Sequence, residues 1–182
     1  LGPFLTQERL ARLRHVVAHR SRRVLCVFES TNHSHNISAV MRTIDACGFQ
    51  DNFFVYTDLE NTRFRVSDSV ERGSADWLTV RRSAKISDTT AFLKANGYKV
   101  LLVSLPSFER TAGHYQEELP HICVSENKDA ELQKLLHDTP VALVFGNEKY
   151  GVHADWVSSA DGYISVGMHG FVESLNLSVC AG

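Results

Sequence analysis

Short apolar runs recur along this chain, and between them lie polar stretches in which apolar residues return every three or four positions. The apolar runs at 24–28, 53–56, 77–80, 100–105, 122–124, 141–145 and 163–166 predict strands. Leu5, Leu10, Leu13, Val16 and Val17 follow Thr6, a possible N-cap, and predict a helix ending near Arg20. Asn36 can cap a second helix, whose Ile37, Val40, Met41 and Ile44 keep a core-facing stripe until Gly48 stops it. Ser87 or Asp88 predicts a third helix start, closed by Asn96-Gly97, and 130–136 predicts a fourth. Ser174 opens what reads as a last one. Most of the strands are apolar throughout instead of alternating, which is the pattern of strands covered on both faces. The expected fold is therefore α/β, a mostly parallel sheet with helices on both faces.

A few residues stand out from this pattern. Arg42 lies about 140° from the middle of its helix's apolar stripe at 100° per residue, so it is not a core residue. Val141–Phe145 ends on Gly146, and the run at 163–166 leads into a loop punctuated by Gly167 and Gly170. Glycine at a strand end lets another group approach the backbone closely. Such strand ends, beside a helix start, are where open α/β sheets bind ligands.

At 182 residues, 43% of them hydrophobic, the chain suits one domain with a sizeable core. Residues 1–23 hold six arginines against Glu8 alone, about +5 by count, while the whole chain is at −2. We therefore separate a basic N-terminal helical extension (1–23) from the main domain (24–182). An arginine-rich arm on an acidic body suggests a polyanionic partner, although a solvated amphipathic helix would carry similar charge. Arg63 and Arg65 add to it within the polar stretch 57–76. Cys26, Cys47, Cys123 and Cys180 are scattered, with no C-x-x-C pair, so neither disulfides nor a zinc site is expected. No apolar run approaches bilayer length and no signal peptide is visible, so a cytoplasmic location is expected. The chain begins Leu1-Gly2-Pro3 and stops eight residues after Ser174, and a longer native protein is expected.

Common chemical motifs are missing. No G-x-G-x-x-G follows the first strand, and neither a P-loop nor a G-x-S-x-G elbow occurs. His33-x-His35 lacks a nearby carboxylate or third ligand, so no metal is expected.

Three segments remain. Asn36-Ile-Ser-Ala-Val-Met-Arg42-Thr-Ile-Asp-Ala-Cys-Gly48 resembles the first motif of the SpoU/TrmH branch of the SPOUT RNA methyltransferases. Leu143-Val-Phe-Gly146-Asn-Glu148-Lys-Tyr-Gly151 resembles the second, and the stretch from Val166 through Gly170, Ser174 and Asn176 to Val179 the third. Gly73-Ser-Ala-Asp-Trp77 is similar to the segment before the third strand in TrmH-type enzymes. Chance seldom produces three motifs in the right order.

The resemblance implies a deep trefoil knot in the last third of the chain, a homodimer with the site at the subunit interface, and S-adenosylmethionine as cofactor. It implies cofactor contacts from Val103, Gly146, Val166, Met168, Ser174 and Leu175. Arg42 would activate a ribose 2′-hydroxyl, with Asn36, Glu148, Ser174 and Asn176 shaping the site. RNA contacts would come from Arg9, Arg12, Arg20, Arg22, Arg23, Arg63 and Arg65. Two departures matter: Gly167 stands where the family usually has proline, loosening the cofactor loop, and the helix after Asn176 is short.

The implied activity is 2′-O-methylation of RNA ribose, in tRNA first and at a D-loop guanosine. Ribosomal RNA, or another tRNA position, is the alternative within the class. A non-catalytic RNA-binding protein on the same scaffold is a second, and a nucleotide-binding enzyme of unrelated chemistry a third.

Overall fold

The computed structural model describes residues 5–31, 34–57, 75–104, 118–124, 129–171 and 174–182. Among them β1 (Val24–Glu29), β2 (Asp51–Val55), β3 (Thr79–Ser83), β4 (Lys99–Val103), β5 (His121–Cys123), β6 (Val141–Phe145) and β7 (Gly162–Ser165) form one sheet. Its order is β3-β2-β1-β6-β4-β7-β5, and each pairing is parallel. β1 and β2 are buried along their whole length, including the polar Glu29 of β1 and Asp51 and Asn52 of β2.

The helices are α1 (Gln7–Ala18), α2 (Ser34–Ala46), α3 (Ile86–Ala95), α4 (Asp129–Asp138), and two single turns, α5 (Ala154–Val157) and α6 (Leu177–Cys180). On one face, Ile37, Val40, Met41 and Ile44 of α2 and Leu177 of α6 pack over Cys26, Phe28, Phe54 and Phe145. On the other, Ile86 and Leu93 of α3 and Trp156 and Val157 of α5 pack over Leu25, Val27, Phe53 and Val144. Phe54, Phe28 and Phe145 are register partners on three adjacent strands, with ring centroids 5.3 and 5.2 Å apart. Each aromatic pair adds about 0.5–1.5 kcal/mol beyond the area it buries, so this row makes a firm floor beneath α2 and α6.

Several element starts differ from expectation. α2 begins at Ser34, so Asn36 sits inside the first turn and is not its N-cap. α3 begins at Ile86 behind Lys85, with Ser87 and Asp88 already helical. Trp77 belongs to a 3-10 turn (Ala75–Trp77) ahead of β3, and it is not part of the strand. The last helix starts three residues after Ser174, capped by Asn176, whose Oδ1 accepts from the Ser178 amide at 2.9 Å. Gly48 does stop α2: its φ is +79°, and a Cβ there would lie 2.6 Å from the His19 carbonyl oxygen.

The stripe on α1 is at most half-buried, at Leu10 and Leu13. Thr6 caps the helix as expected, accepting from the Arg9 amide at 3.2 Å, but no α1 residue is buried and Val17 is 71% exposed. Chain passages at 105–117 and 172–173 lie outside the described residues, and the knot stays an expectation.

Candidate active site

The adjacency of β1 and β6 builds the site. The two strands run in register, Phe28 beside Phe145, so the loops that leave their carboxyl ends start side by side. The loop after β1 leads to α2 on one face, whereas the loop after β6 leads to α5 on the opposite face. Loops that diverge from neighbouring parallel strands open a crevice between them.

Three motif residues meet there. Asn36 in α2 donates from Nδ2 to Glu148 Oε1 at 2.7 Å, across 112 residues of sequence. Asn36 Oδ1 accepts from Asn176 Nδ2 at 3.3 Å. Asn176 is fixed in turn by its own helix, accepting from the Ser178 amide at 2.9 Å and the Ser178 hydroxyl at 2.7 Å. The first, second and third motifs are thus joined by one hydrogen-bonded chain. The helix start at Ser34 puts Asn36 inside the first turn, where its Oδ1 does not cap the helix and accepts from Asn176 instead.

Glu148 sits at the tip of a small lobe. Asn147 and Gly151 exchange backbone hydrogen bonds at 2.8 and 2.9 Å, and Asn147 Oδ1 accepts from the Lys149 and Tyr150 amides at 2.9 and 3.3 Å. Gly146 is glycine for a reason the sequence did not disclose: a Cβ on it would lie 2.2 Å from the Gly151 carbonyl carbon.

Arg42 is not part of that chain. It lies six residues beyond Asn36, about 9 Å along the helix and about 120° around it by ideal geometry. It is exposed, and its guanidinium pairs with no other described residue. The end of α6 is close by, since a Cβ on Gly182 would lie 2.8 Å from Thr43 Cγ2.

The residues expected to hold the cofactor follow the sheet edge. Val103 is the register partner of both Phe145 and Ile164, so Val103, Gly146 and Val166 lie at the carboxyl ends of three adjacent strands. Val166 and Leu175 are 39% and 36% exposed, Ser174 is also exposed, and Met168 is half-buried. These side chains carry no charge, and their half-open apolar surface suits a flat heteroaromatic ring. A cleft of about 440 Å³ lined by Thr57, Lys85, Ser87 and Asp155, among others, shares no residue with the three motifs.

The basic segment divides in two. Arg20 is only 11% exposed; it pairs with Asp45 and donates to the Phe49 carbonyl at 3.2 Å. Arg23 donates to the carbonyls of Leu136, at 3.0 Å, and His137 at the end of α4. Arg22 lies 3.4 Å from the buried Asp51, which Arg81 also holds at 2.6 Å. The guanidinium groups of Arg9 and Arg12, by contrast, pair with no other described residue. Arg63, Arg65 and His33 lie outside the described residues. Sequence reasoning passed over Glu29 and Asn147; the one signal was a carboxylate directly after five apolar strand residues.

The sequence model of the SpoU rRNA Methylase family matches residues 23–182. A tRNA (guanosine(18)-2′-O)-methyltransferase of Borreliella burgdorferi is 27% identical over 179 residues, covering 98% of this chain and 72% of the relative. That of Escherichia coli is 28% identical over 177 residues, covering 97% and 67%. The crystal structure of the A. aeolicus TrmH/SpoU tRNA modifying enzyme superposes with a TM-score of 0.69 at 25% identity, covering 97% of this chain and 78% of that one.

Proposed function

The chain belongs to the SpoU rRNA Methylase family, and from that premise we propose that it methylates a ribose 2′-hydroxyl in RNA using S-adenosylmethionine. The proposed substrate is tRNA, at a D-loop guanosine, by likeness to relatives so named. The observation that carries the reading is the chain Glu148, Asn36, Asn176, which draws one residue from each motif into a single hydrogen-bonded group.

Val103, Gly146, Val166, Met168, Ser174 and Leu175 would hold the cofactor, their uncharged strand-end surface being compatible with an adenine. When bound, S-adenosylmethionine supplies a methyl group already activated by its sulfonium, so no protein nucleophile is needed. The protein has to orient the ribose and stabilise the oxygen that gains charge. Arg42 suits the second of these roles, because a guanidinium stays charged, being a poor base with a pKa above about 12, and donates through a planar fork. We read it as the donor that holds the 2′-oxygen, with the proton leaving to phosphate or water. Asn36, fixed by Glu148 and Asn176, would orient the ribose.

Because Arg42 makes no bond to its own chain's Asn36 group, we propose that it serves the site of a second subunit in a homodimer. Arg9 and Arg12 would hold the RNA backbone, together with Arg63, Arg65 and Arg22, which stays 69% exposed although it lies 3.4 Å from Asp51. Arg20 and Arg23 are engaged within the chain and drop out of that role. No helix among the described residues is long and apolar enough to cross a membrane.

The test is transfer of labelled methyl groups to tRNA and to ribosomal RNA in separate reactions. Label in tRNA is expected. Label confined to ribosomal RNA would move the substrate, and none in either would defeat the reading.

A further inference from the structure

β1 ends on a carboxylate that the chemistry above does not use. Glu29 is 3% exposed, at the carboxyl end of a strand paired on both sides. It accepts a hydrogen bond from the His153 amide at 2.9 Å. Burial raises its pKa above the ordinary glutamate value, and the His153 amide pulls it only part of the way back. Burying a carboxylate here costs free energy that the bond from the His153 amide partly offsets.

The next residue is also unusual. Ser30 has φ +46°, a left-handed backbone that non-glycine residues seldom adopt. In this turn its carbonyl accepts from Asn147 Nδ2 at 2.8 Å, while its amide donates to the Val55 carbonyl at 2.8 Å. Two consecutive residues at the end of β1 therefore grip the lobe that follows β6, one at Asn147 and one at His153. Glu148 lies between these two points and is itself exposed at the tip. Nothing else among its described contacts except the bond from Asn36 holds its side chain.

We infer that Glu29 and Asn147 are positioning residues: they clamp the lobe 146–153 to the end of β1 and so fix Glu148 where Asn36 reaches it. The inference rests on the function proposed above, and it deepens that reading by adding two residues to the site's support. Neither touches the reacting atoms. Each acts through the placement of Glu148, and misplacement of about 1 Å can lower a rate by about 100-fold.

The test compares Glu29→Ala, Asn147→Ala and Glu29→Gln with the wild type. It reads kcat and KM for RNA, cofactor affinity by calorimetry, and amide hydrogen exchange of 146–153. Both alanine variants should lose about 10- to 100-fold in kcat with cofactor affinity nearly unchanged. They should also lose exchange protection at 146–153 while β1 and β6 keep theirs. Glu29→Gln keeps an acceptor for the His153 amide and should restore most of the rate. Equal kcat and protection in wild type and alanine variants would overturn the inference, as would a glutamine variant as impaired as the alanine. If the wild type transfers no methyl to RNA, the proposed function fails, and exchange alone decides the clamp: lost protection supports it and retained protection overturns it.

Discussion

Asn36 and Glu148 stand 112 residues apart in sequence and 2.7 Å apart in space, nitrogen to oxygen. The aromatic row Phe54, Phe28 and Phe145 supports α2 from below, and the loop from β6 brings Glu148 over the top. If the pair acts as a unit, removing either partner should do most of the damage of removing both. Asn36→Ala and Glu148→Ala are each expected to lower kcat/KM, and the double variant should fall short of additivity by about 0.5–3 kcal/mol. Methyl-transfer kinetics on the four proteins measure it.

Arg42 is expected to behave differently, because it is exposed and its guanidinium pairs with no other described residue of its own chain. Arg42→Ala should lower methyl transfer by about 100-fold or more while cofactor affinity by calorimetry and the unfolding midpoint stay close to wild type. Arg42→Lys should rescue little, since an ammonium lacks the planar fork.

The buried Glu29 gives a pH signature. Its folded-state pKa is raised, so the stability linked to it is fully present below the ordinary glutamate pKa, about 4.3, and is lost as pH rises through the raised value. Glu29→Gln removes that loss. Its denaturation midpoint should match wild type near pH 4 and exceed it increasingly toward neutral pH.

For the arginines, salt separates the two classes. Arg9→Ala and Arg12→Ala should each weaken RNA binding and reduce the slope of log K against log salt by about 0.7–0.9, with little change in stability. Arg20→Ala and Arg23→Ala should lower the unfolding midpoint instead, because each removes bonds to carbonyls within the chain. Fluorescence anisotropy across a salt series, set beside thermal melts, tests both.

The sheet and the three motifs were legible because each depends on short-range pattern. An apolar run such as Val141–Phe145 reads as a buried strand wherever it sits. What escaped was set by partners far along the chain. Asn36 and Ser174 both look like N-caps locally, yet α2 starts two residues before Asn36, which bonds to Glu148, and the last helix is capped by Asn176. Arg20 and Arg23 look like RNA ligands until Asp45 and the end of α4 are placed beside them. Gly146 reads as room for a ligand, but its own contact is with the Gly151 backbone. Glu29 reads as the start of a polar loop, and only the sheet register shows it buried beneath the lobe.

The central claim is that this group of residues methylates a ribose and not a base. Digestion of treated tRNA to nucleosides, followed by mass spectrometry, tests it most directly. The expected product is guanosine carrying the added methyl on its sugar, absent from the Arg42→Ala reaction. A methyl found on the base, or a ribose-methylated product undiminished in Arg42→Ala, would contradict the account.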